Sequence, residues 1–256
     1  MTSPSRLVLA ASTALAAALL VAGCAPTSSA PAPAPTSSAT SDGSGSATQP
    51  RGEDDVEAAW LDGGRMFAIV TWGSSTCVPI VDEVTGDGQK VTVSLIDAPS
   101  SDDAVRACTD DLAARASVGA IPEGVDPTKD VEFIVTLGDV TDDVDLDGNP
   151  DLTATPGSST DYAPSAGWFD DEGVVLLTWG SSTCPPIVEG LEEQAGGATV
   201  TFTTEDGMCT MDMAPRATVL GFSDDDDDSD DDADDGEFVL TLVGGNLDAT
   251  VPVLRG

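Results

Sequence analysis

One segment of the chain occurs twice, and this duplication limits what the chain can fold into. Residues 71–81 read TWGSSTCVPIV and residues 178–188 read TWGSSTCPPIV, so ten of eleven positions agree at an offset of 107. Shorter matches follow in the same order, among them Cys108 with Cys209. We infer a tandem duplication of a unit of about 100 residues. Two copies of that size predict two small domains rather than a solenoid, whose repeats usually have about 20–50 residues.

The repeated unit has the pattern of β-strands. Residues 91–95 and 198–202 alternate between apolar and polar side chains, which is typical of half-buried strands. Residues 66–72 and 173–179 are short apolar runs beside glycine. Further strands are predicted at residues 113–118, 132–137 and 152–155 of the first unit and at 213–220, 237–243 and 249–254 of the second. The sequence therefore predicts an all-β protein in which each unit is a small β-sandwich or partly open barrel.

The domain boundaries follow from the duplication. The first β domain is expected at residues 57–155 and the second at residues 167–256, with a linker at residues 156–166. Weak helical character is confined to residues 104–113 and 187–194.

The first 24 residues have the pattern of an export signal. Arg6 precedes an apolar run at residues 7–22, and the run ends in Gly23-Cys24. The run is short for a transmembrane helix. The order of apolar core, small residue and cysteine resembles the lipobox of bacterial lipoproteins. That resemblance implies that residues 1–23 are removed and that Cys24 carries acyl chains such as palmitate; the alternative is an ordinary secretory signal in which Cys24 is incidental.

The segment after Cys24 is predicted to be a disordered tether. Residues 25–50 consist almost entirely of Ala, Pro, Thr, Ser and Gly, and Asp42 is their only charged residue. Such a segment cannot bury enough apolar surface to offset its ordering entropy. We therefore place a tether at residues 24–56, between a lipid anchor and the β domains.

The remaining four cysteines allow three disulfide connectivities. Equivalent bridges in the two units require Cys77–Cys108 and Cys184–Cys209, and an exported protein can form them. The alternative that joins equivalent positions of the two units is Cys77–Cys184 with Cys108–Cys209.

The repeated TWGSSTC segment is the first candidate binding site. Trp72, Ser74 and Ser75 in the first unit, with Trp179, Ser181 and Ser182 in the second, could contact a sugar or a partner loop. The structural alternative is that the hydroxyls bond to the turn backbone and that each tryptophan packs on a disulfide. The segment resembles tandem-repeat lipoproteins of high-GC Gram-positive bacteria over most of residues 57–256, a resemblance that implies no particular activity.

Residues 143–151, DVDLDGNPD, resemble the start of an EF-hand-type calcium loop. The carboxylates of Asp143, Asp145, Asp147 and Asp151 could converge on a weakly bound calcium ion. The twelfth position of such a loop falls on Ala154 instead of the usual glutamate, so the alternative is a solvated acidic turn.

The charge excludes several classes of function. The chain has 46 acidic and 9 basic residues, a net charge of −37 and no histidine. A polyanion lacks the cations that nucleic acids require, and the absence of histidine removes the commonest general base.

Ten aspartates lie between residues 224 and 235, a run expected to be an expanded solvated loop. Arg115 and Arg216, at equivalent positions, are expected to pair with carboxylates of their own units.

These observations predict a non-enzymatic protein that a lipid holds on the extracellular face of the cell membrane and that binds a cell-wall, glycan or protein partner. No catalytic residue, no nucleic-acid partner and no cofactor other than weak calcium are predicted. A second hypothesis is a calcium-stabilised extracellular scaffold that uses the turn at residues 143–151. A hydrolase that uses Ser74 is the third.

Overall fold

The computed structural model describes residues 55–99, 107–204, 207–223 and 237–256. The protein is all-β, as the sequence predicts, and each repeat contributes seven strands. In the first repeat these are β1 (Val56–Leu61), β2 (Met66–Gly73), β3 (Pro79–Asp87), β4 (Lys90–Asp97), β5 (Ala113–Ala120), β6 (Val131–Leu137) and β7 (Val140–Leu146). In the second they are β8 (Ser165–Trp168), β9 (Gly173–Gly180), β10 (Ile187–Gln194), β11 (Gly197–Thr203), β12 (Ala214–Gly221), β13 (Val239–Gly244) and β14 (Ala249–Leu254).

Each repeat packs a three-stranded layer on a four-stranded layer. The strand orders in the first repeat are β1-β2-β5 and β3-β4-β6-β7, and the equivalent strands of the second repeat have the same orders. Neighbouring strands are antiparallel within these layers, except that β4 pairs with β6, and β11 with β13, in parallel. In the second repeat β14 also pairs with β8, which joins its two layers into one seven-stranded sheet.

Three hydrophobic cores stabilise this arrangement. One core lies between the two layers of the first repeat and includes Phe67 and Ile69, and its counterpart in the second repeat includes Val174 and Leu176. A third core combines residues of both repeats, among them Val70 of β2 with residues of β9. The described residues belong to one compact unit.

The third core explains the apolar runs in β2 and β9. Alternate residues of β2 face opposite sides: Phe67 and Ile69 enter the core of the first repeat, whereas Ala68 and Val70 face the second repeat. Every residue of β2 is buried. A strand covered on both faces needs apolar side chains at successive positions, which is the pattern that residues 66–72 display.

Three sequence predictions are wrong. Residues 104–113, given weak helical character, are described from residue 107 on, and residues 107–112 form no helix before β5 begins at Ala113. Residues 187–194, given weak helical character, form β10, which makes a hairpin with β11 through a tight turn after Gln194. Residues 152–155, predicted to close the first repeat, lie outside the strands, and β7 closes it instead. The exposed strands β7 and β10 carry many acidic side chains, which are uncommon in strands. Their composition therefore did not predict the extended conformation that cross-strand pairing imposes.

Candidate functional site

Each repeat contains one disulfide, in the pairing that the duplication predicts. Cys77 bonds to Cys108, and Cys184 bonds to Cys209. The segment after β2, and its equivalent after β9, carries the Ser-Ser-Thr-Cys end of TWGSSTC and is called the TWGSSTC loop. Each bridge ties this loop to the loop that precedes the fifth strand of its repeat. The second loop of each pair carries a Cys-Thr sequence, which places a threonine beside the bridge.

Hydroxyl groups form a second link beside the first disulfide. The Oγ1 atom of Thr109 lies 2.8 Å from Ser74 Oγ and 3.3 Å from Thr76 Oγ1. The Thr109 hydroxyl also donates to the carboxylate of Asp111, which accepts a bond from the backbone N–H of Ser75 at 3.2 Å. The hydroxyls therefore bond mainly to each other and to one carboxylate, which orders the loop.

The second repeat reproduces this network. Thr210 Oγ1 lies 2.8 Å from Ser181 Oγ and 3.3 Å from Thr183 Oγ1. The Thr210 hydroxyl donates to Asp212, and the backbone N–H of Ser182 donates to the same carboxylate at 3.2 Å. The agreement between the repeats shows that these hydroxyls order the two loops locally, although they bond mainly to each other and to a carboxylate rather than to the turn backbone.

The two carboxylates of these networks are held in the ionised form. The hydrogen bond from Thr210 and then that from Ser182 lower the pKa of Asp212 from 3.8 to about 2. The pKa of Asp111 is lowered for the same reason, chiefly by the bond from Thr109. Because these bonds stabilise the charged form, both aspartates are weak proton acceptors.

An arginine of the fifth strand in each repeat donates hydrogen bonds to the backbone of the TWGSSTC segment. Nη1 of Arg115 donates to the carbonyl oxygen of Cys77 at 2.9 Å, and its Nη2 donates to that of Trp72 at 3.1 Å. Arg216 donates in the same way to Cys184 at 3.1 Å and to Trp179 at 2.8 Å.

The contacts of Arg216 differ from the role expected for it. Within the described residues, Arg216 has no carboxylate at ion-pair distance, and desolvation lowers its pKa. Cross-strand pairing explains the geometry, because the register of β2 on β5 places Arg115 opposite Thr71, one residue from Trp72. Each arginine is therefore placed to donate to carbonyl oxygens of its loop.

The two tryptophans have different environments, and each packs against an aromatic ring outside its own TWGSSTC segment. Trp72 is 8% exposed and belongs to the core between the repeats, where its ring centroid lies 6.3 Å from that of Phe169. Trp179 is half-buried and packs edge-on against Tyr162 of the linker at 5.1 Å. Burial leaves Trp72 little surface for a ligand, and Trp179 is covered in part by Tyr162. The exposed residues of the candidate site are therefore mainly those with hydroxyl groups.

Exposure separates the serines of the two loops into two groups. Ser75 and Ser182 are exposed, whereas Ser74 and Ser181 are half-buried. The exposed pair lies at the tips of loops that a disulfide, a hydroxyl network and an arginine all hold.

The predicted calcium ligands do not converge. Asp143 and Asp145 lie within the extended strand β7, and Asp147 and Asp151 follow in the turn after it. In the part of the chain that the structure describes, no group of three acidic, cysteine or histidine side chains is placed to hold a metal. The carboxylates therefore do not fit a calcium ion.

Other bonds fix the turn at these residues. The indole Nε1 of Trp60 donates to the carbonyl oxygen of Asp147 at 2.8 Å, and the N–H of Gly148 donates to Asp130 at 3.0 Å. The side-chain amide of Asn149 donates to the carbonyl of Arg255 at 2.8 Å. The turn thus packs against the first strand and the C-terminal segment.

The sequence reasoning missed an ion pair between Asp62 and Arg65. Asp62 is 6% exposed and has a positive φ of 51°, and its carboxylate accepts bonds from Arg65 Nε at 3.0 Å and Nη2 at 2.7 Å. Arg65 also contacts the linker through Ser159 O at 2.9 Å and Asp161 at 3.0 Å. Trp60-Leu61-Asp62 is similar to residues 168–170, which read WFD, but no sequence pattern relates Asp62 or Arg65 to the linker.

A cavity of about 440 Å³ adjoins this ion pair. The turn after β1, the linker and the last strand line it, and Asp62 and Arg65 contribute to its wall. Because those two side chains already bond to each other bidentately, their position indicates that they anchor the linker.

Several predicted features lie outside the described residues. They are the signal at residues 1–23, Cys24, the tether as far as residue 54 and the aspartate run at residues 224–235. No helix in the described ranges has the length and hydropathy that crossing a bilayer requires.

Neither protein-family models, nor curated proteins, nor solved structures match this chain significantly.

Proposed function

We propose that the chain is a non-enzymatic protein that a lipid on Cys24 anchors to the outer face of the cell membrane, and that it binds a component of the cell envelope through its two TWGSSTC loops. The observation that carries this proposal is the exposure of Ser75 and Ser182 on loops that are fixed in the same way in both repeats. A fixed loop loses little conformational entropy when it binds, which favours a recognition role.

The packing of the repeats supports contact at two separate places. Trp72, at the base of the first loop, contacts Phe169, which precedes β9. The second loop follows the other end of β9, after Gly180. The loops are therefore separated by about the length of this eight-residue strand, roughly 25 Å. Two equivalent sites at that distance suit a repetitive ligand, such as a glycan strand or a polymeric protein.

The electrostatics of the loops favour binding over catalysis. A serine nucleophile needs a nearby base that accepts its proton. The chain has no histidine, and the carboxylates nearest these serines, Asp111 and Asp212, have lowered pKa values. Neither aspartate is suited to act as a general base near neutral pH.

The lipid anchor follows from residues 7–24 and is tested by metabolic labelling. Cells that express the full chain are grown with labelled palmitate, with and without globomycin, beside cells that express Cys24→Ala. Label that Cys24→Ala abolishes, together with a larger, still labelled precursor that accumulates when globomycin blocks processing, supports the anchor. Label that survives Cys24→Ala rejects it.

The binding role is tested on isolated cell envelopes of the producing organism. The mature chain with Cys24→Ala, which removes the lipid, is added at increasing concentration, and the bound fraction is measured. Saturable binding supports the proposal, and envelopes pretreated with a muralytic enzyme or with a protease identify a glycan or a protein ligand. Binding that rises linearly without saturation contradicts it.

A further inference from the structure

The methionines of the chain are concentrated at one exposed place. Three of the five, Met208, Met211 and Met213, lie within six residues. Their exposed fractions are 101%, 104% and 59%, whereas Met66 is 8% exposed within the core. Large apolar side chains that make so little contact with the protein contribute little to folding, so packing does not account for this cluster.

The anchored residues between the methionines explain why these side chains face solvent. Between the methionines, Cys209 bonds to Cys184, and both Thr210 and Asp212 bond to the TWGSSTC loop. The anchored residues hold the backbone against the repeat, and the methionines occupy the positions that are left over. The loop is therefore ordered, although its thioethers are free to move in solvent.

The first repeat supplies the same scaffold without methionine. The positions equivalent to Met208, Met211 and Met213 are Ala107, Asp110 and Leu112. The disulfide and the hydroxyl network are the same in both repeats. The scaffold thus tolerates small, acidic and apolar residues at these positions, and methionine is a specific property of the second repeat.

From this arrangement we infer that Met208, Met211 and Met213 bind a soft monovalent metal ion, copper(I), through their thioether sulfur atoms. Thioethers are soft ligands that favour copper(I) over hard cations. Met211 and Met213 are two residues apart, so their Cα atoms lie at most about 7 Å from each other. Met208 is three residues from Met211, at most about 10 Å along the backbone, and its flexible side chain spans part of that distance.

The surroundings favour this ion at this place. The four described cysteines are oxidised, and the chain has no histidine, so the described residues offer no thiolate or imidazole that would compete for the ion. A net charge of −37 attracts cations in general, and the thioethers supply the selectivity for a soft one.

The test titrates the mature chain carrying Cys24→Ala, which removes the one cysteine outside the disulfides. Silver(I) serves as the redox-inert probe, and copper(I) is then measured against a competing chelator. Methionine methyl groups labelled with carbon-13 report the ligands by NMR. We expect one ion per chain, with shifts for three methyl resonances and none for Met66.

A triple substitution of Met208, Met211 and Met213 by leucine is the matched variant, because it keeps the volume and the apolar character of the loop. We expect it to lower the silver(I) affinity at least about tenfold. An unchanged affinity, or shifts that include Met66 and omit the loop, would overturn the site. A hydrophobic partner, in contrast, would bind the leucine variant as well as the parent.

A graft provides the positive control. Ala107→Met, Asp110→Met and Leu112→Met place the same side chains on the scaffold of the first repeat. We expect two silver ions per chain, with circular dichroism confirming the fold. A folded graft that still binds one ion would contradict the inference, because the two scaffolds share the same anchors.

Discussion

Arg115 occupies the space that a side chain on Gly73 would need. A β-carbon at Gly73 would lie 2.7 Å from Cζ of Arg115, and a β-carbon at Gly180 would lie 2.8 Å from Nη1 of Arg216. In both repeats the guanidinium that lies against the glycine donates to the carbonyl of the loop cysteine. Both repeats thus combine this glycine with this arginine because a larger residue at the glycine position would occupy the space of the guanidinium.

Gly73→Ala is expected to lower the free energy of unfolding by about 1–3 kcal/mol, because the added carbon displaces the guanidinium from its carbonyl partners. Urea denaturation measures the change. Gly221→Ala is the control, since a β-carbon there meets nothing within 4 Å. In a double-mutant cycle with Arg115→Ala, the cost of Gly73→Ala should fall; full additivity would show that the two residues do not interact.

Gly167→Ala tests the packing between the repeats. A β-carbon at Gly167 in β8 would lie 2.1 Å from the backbone oxygen of Trp60 in β1. Backbone cannot move aside as a flexible side chain can, so we expect a loss of about 1–3 kcal/mol in unfolding free energy. Gly190→Ala, with open space around its β-carbon, should be close to neutral in the same urea titration. Equal effects of the two substitutions would contradict the close contact.

Removal of one disulfide is expected to destabilise both repeats together. Alanine at Cys184 and Cys209 opens a loop of 25 residues, for which the chain-entropy estimate is about 3–4 kcal/mol. Because the third core joins the repeats, unfolding should remain one cooperative transition at a lower urea concentration. The bridge between Cys77 and Cys108 provides the matched variant. Two well-separated transitions in either variant would show that the repeats fold independently.

The hydrogen bond from Thr210 should make stability depend on pH in acid. The pKa of Asp212 is about 2 in the folded protein against 3.8 as its ordinary value, so the unfolded chain binds more protons between these limits. Its contribution to stability is therefore complete above about pH 4 and is lost as the pH falls towards 2. Thr210→Val should flatten this part of the pH profile of unfolding in urea. An unchanged slope would mean that the hydroxyl does not hold the carboxylate.

The duplication explains why much of the fold and the disulfides could be predicted. Equivalent cysteines must have equivalent partners, and alternation identified β4 and β11. The packing of the repeats on each other was not predicted, although the continuous apolar runs in β2 and β9 are the pattern of strands that are covered on both faces. The linker contact of Arg65 depends on tertiary geometry alone, since Asp161 lies 96 residues away.

The candidate site was predicted in part. Hydroxyl residues next to glycine and cysteine indicated a turn with side-chain to backbone bonds, whereas the hydroxyls bond mainly to each other and to one carboxylate. The roles of Thr109 and Thr210 were not predicted, because disulfide pairing alone does not specify which neighbouring side chains meet. The alternating aspartates of residues 143–147 suggested a metal loop, but alternation is also the pattern of an exposed strand face, and Asp143 and Asp145 belong to such a strand.

The central claim, that the exposed loop tips bind the envelope, is tested most directly by substituting both tips. The mature chain with Cys24→Ala is compared with the same chain carrying Ser75→Glu and Ser182→Glu, and with a charge-matched control carrying Thr92→Glu and Thr250→Glu at exposed strand positions. The dissociation constant for isolated envelopes is measured for all three at the same ionic strength. The account predicts a loss of at least about tenfold, or ~1.4 kcal/mol, for the loop variant and little change for the control. Equal binding by all three proteins would contradict it.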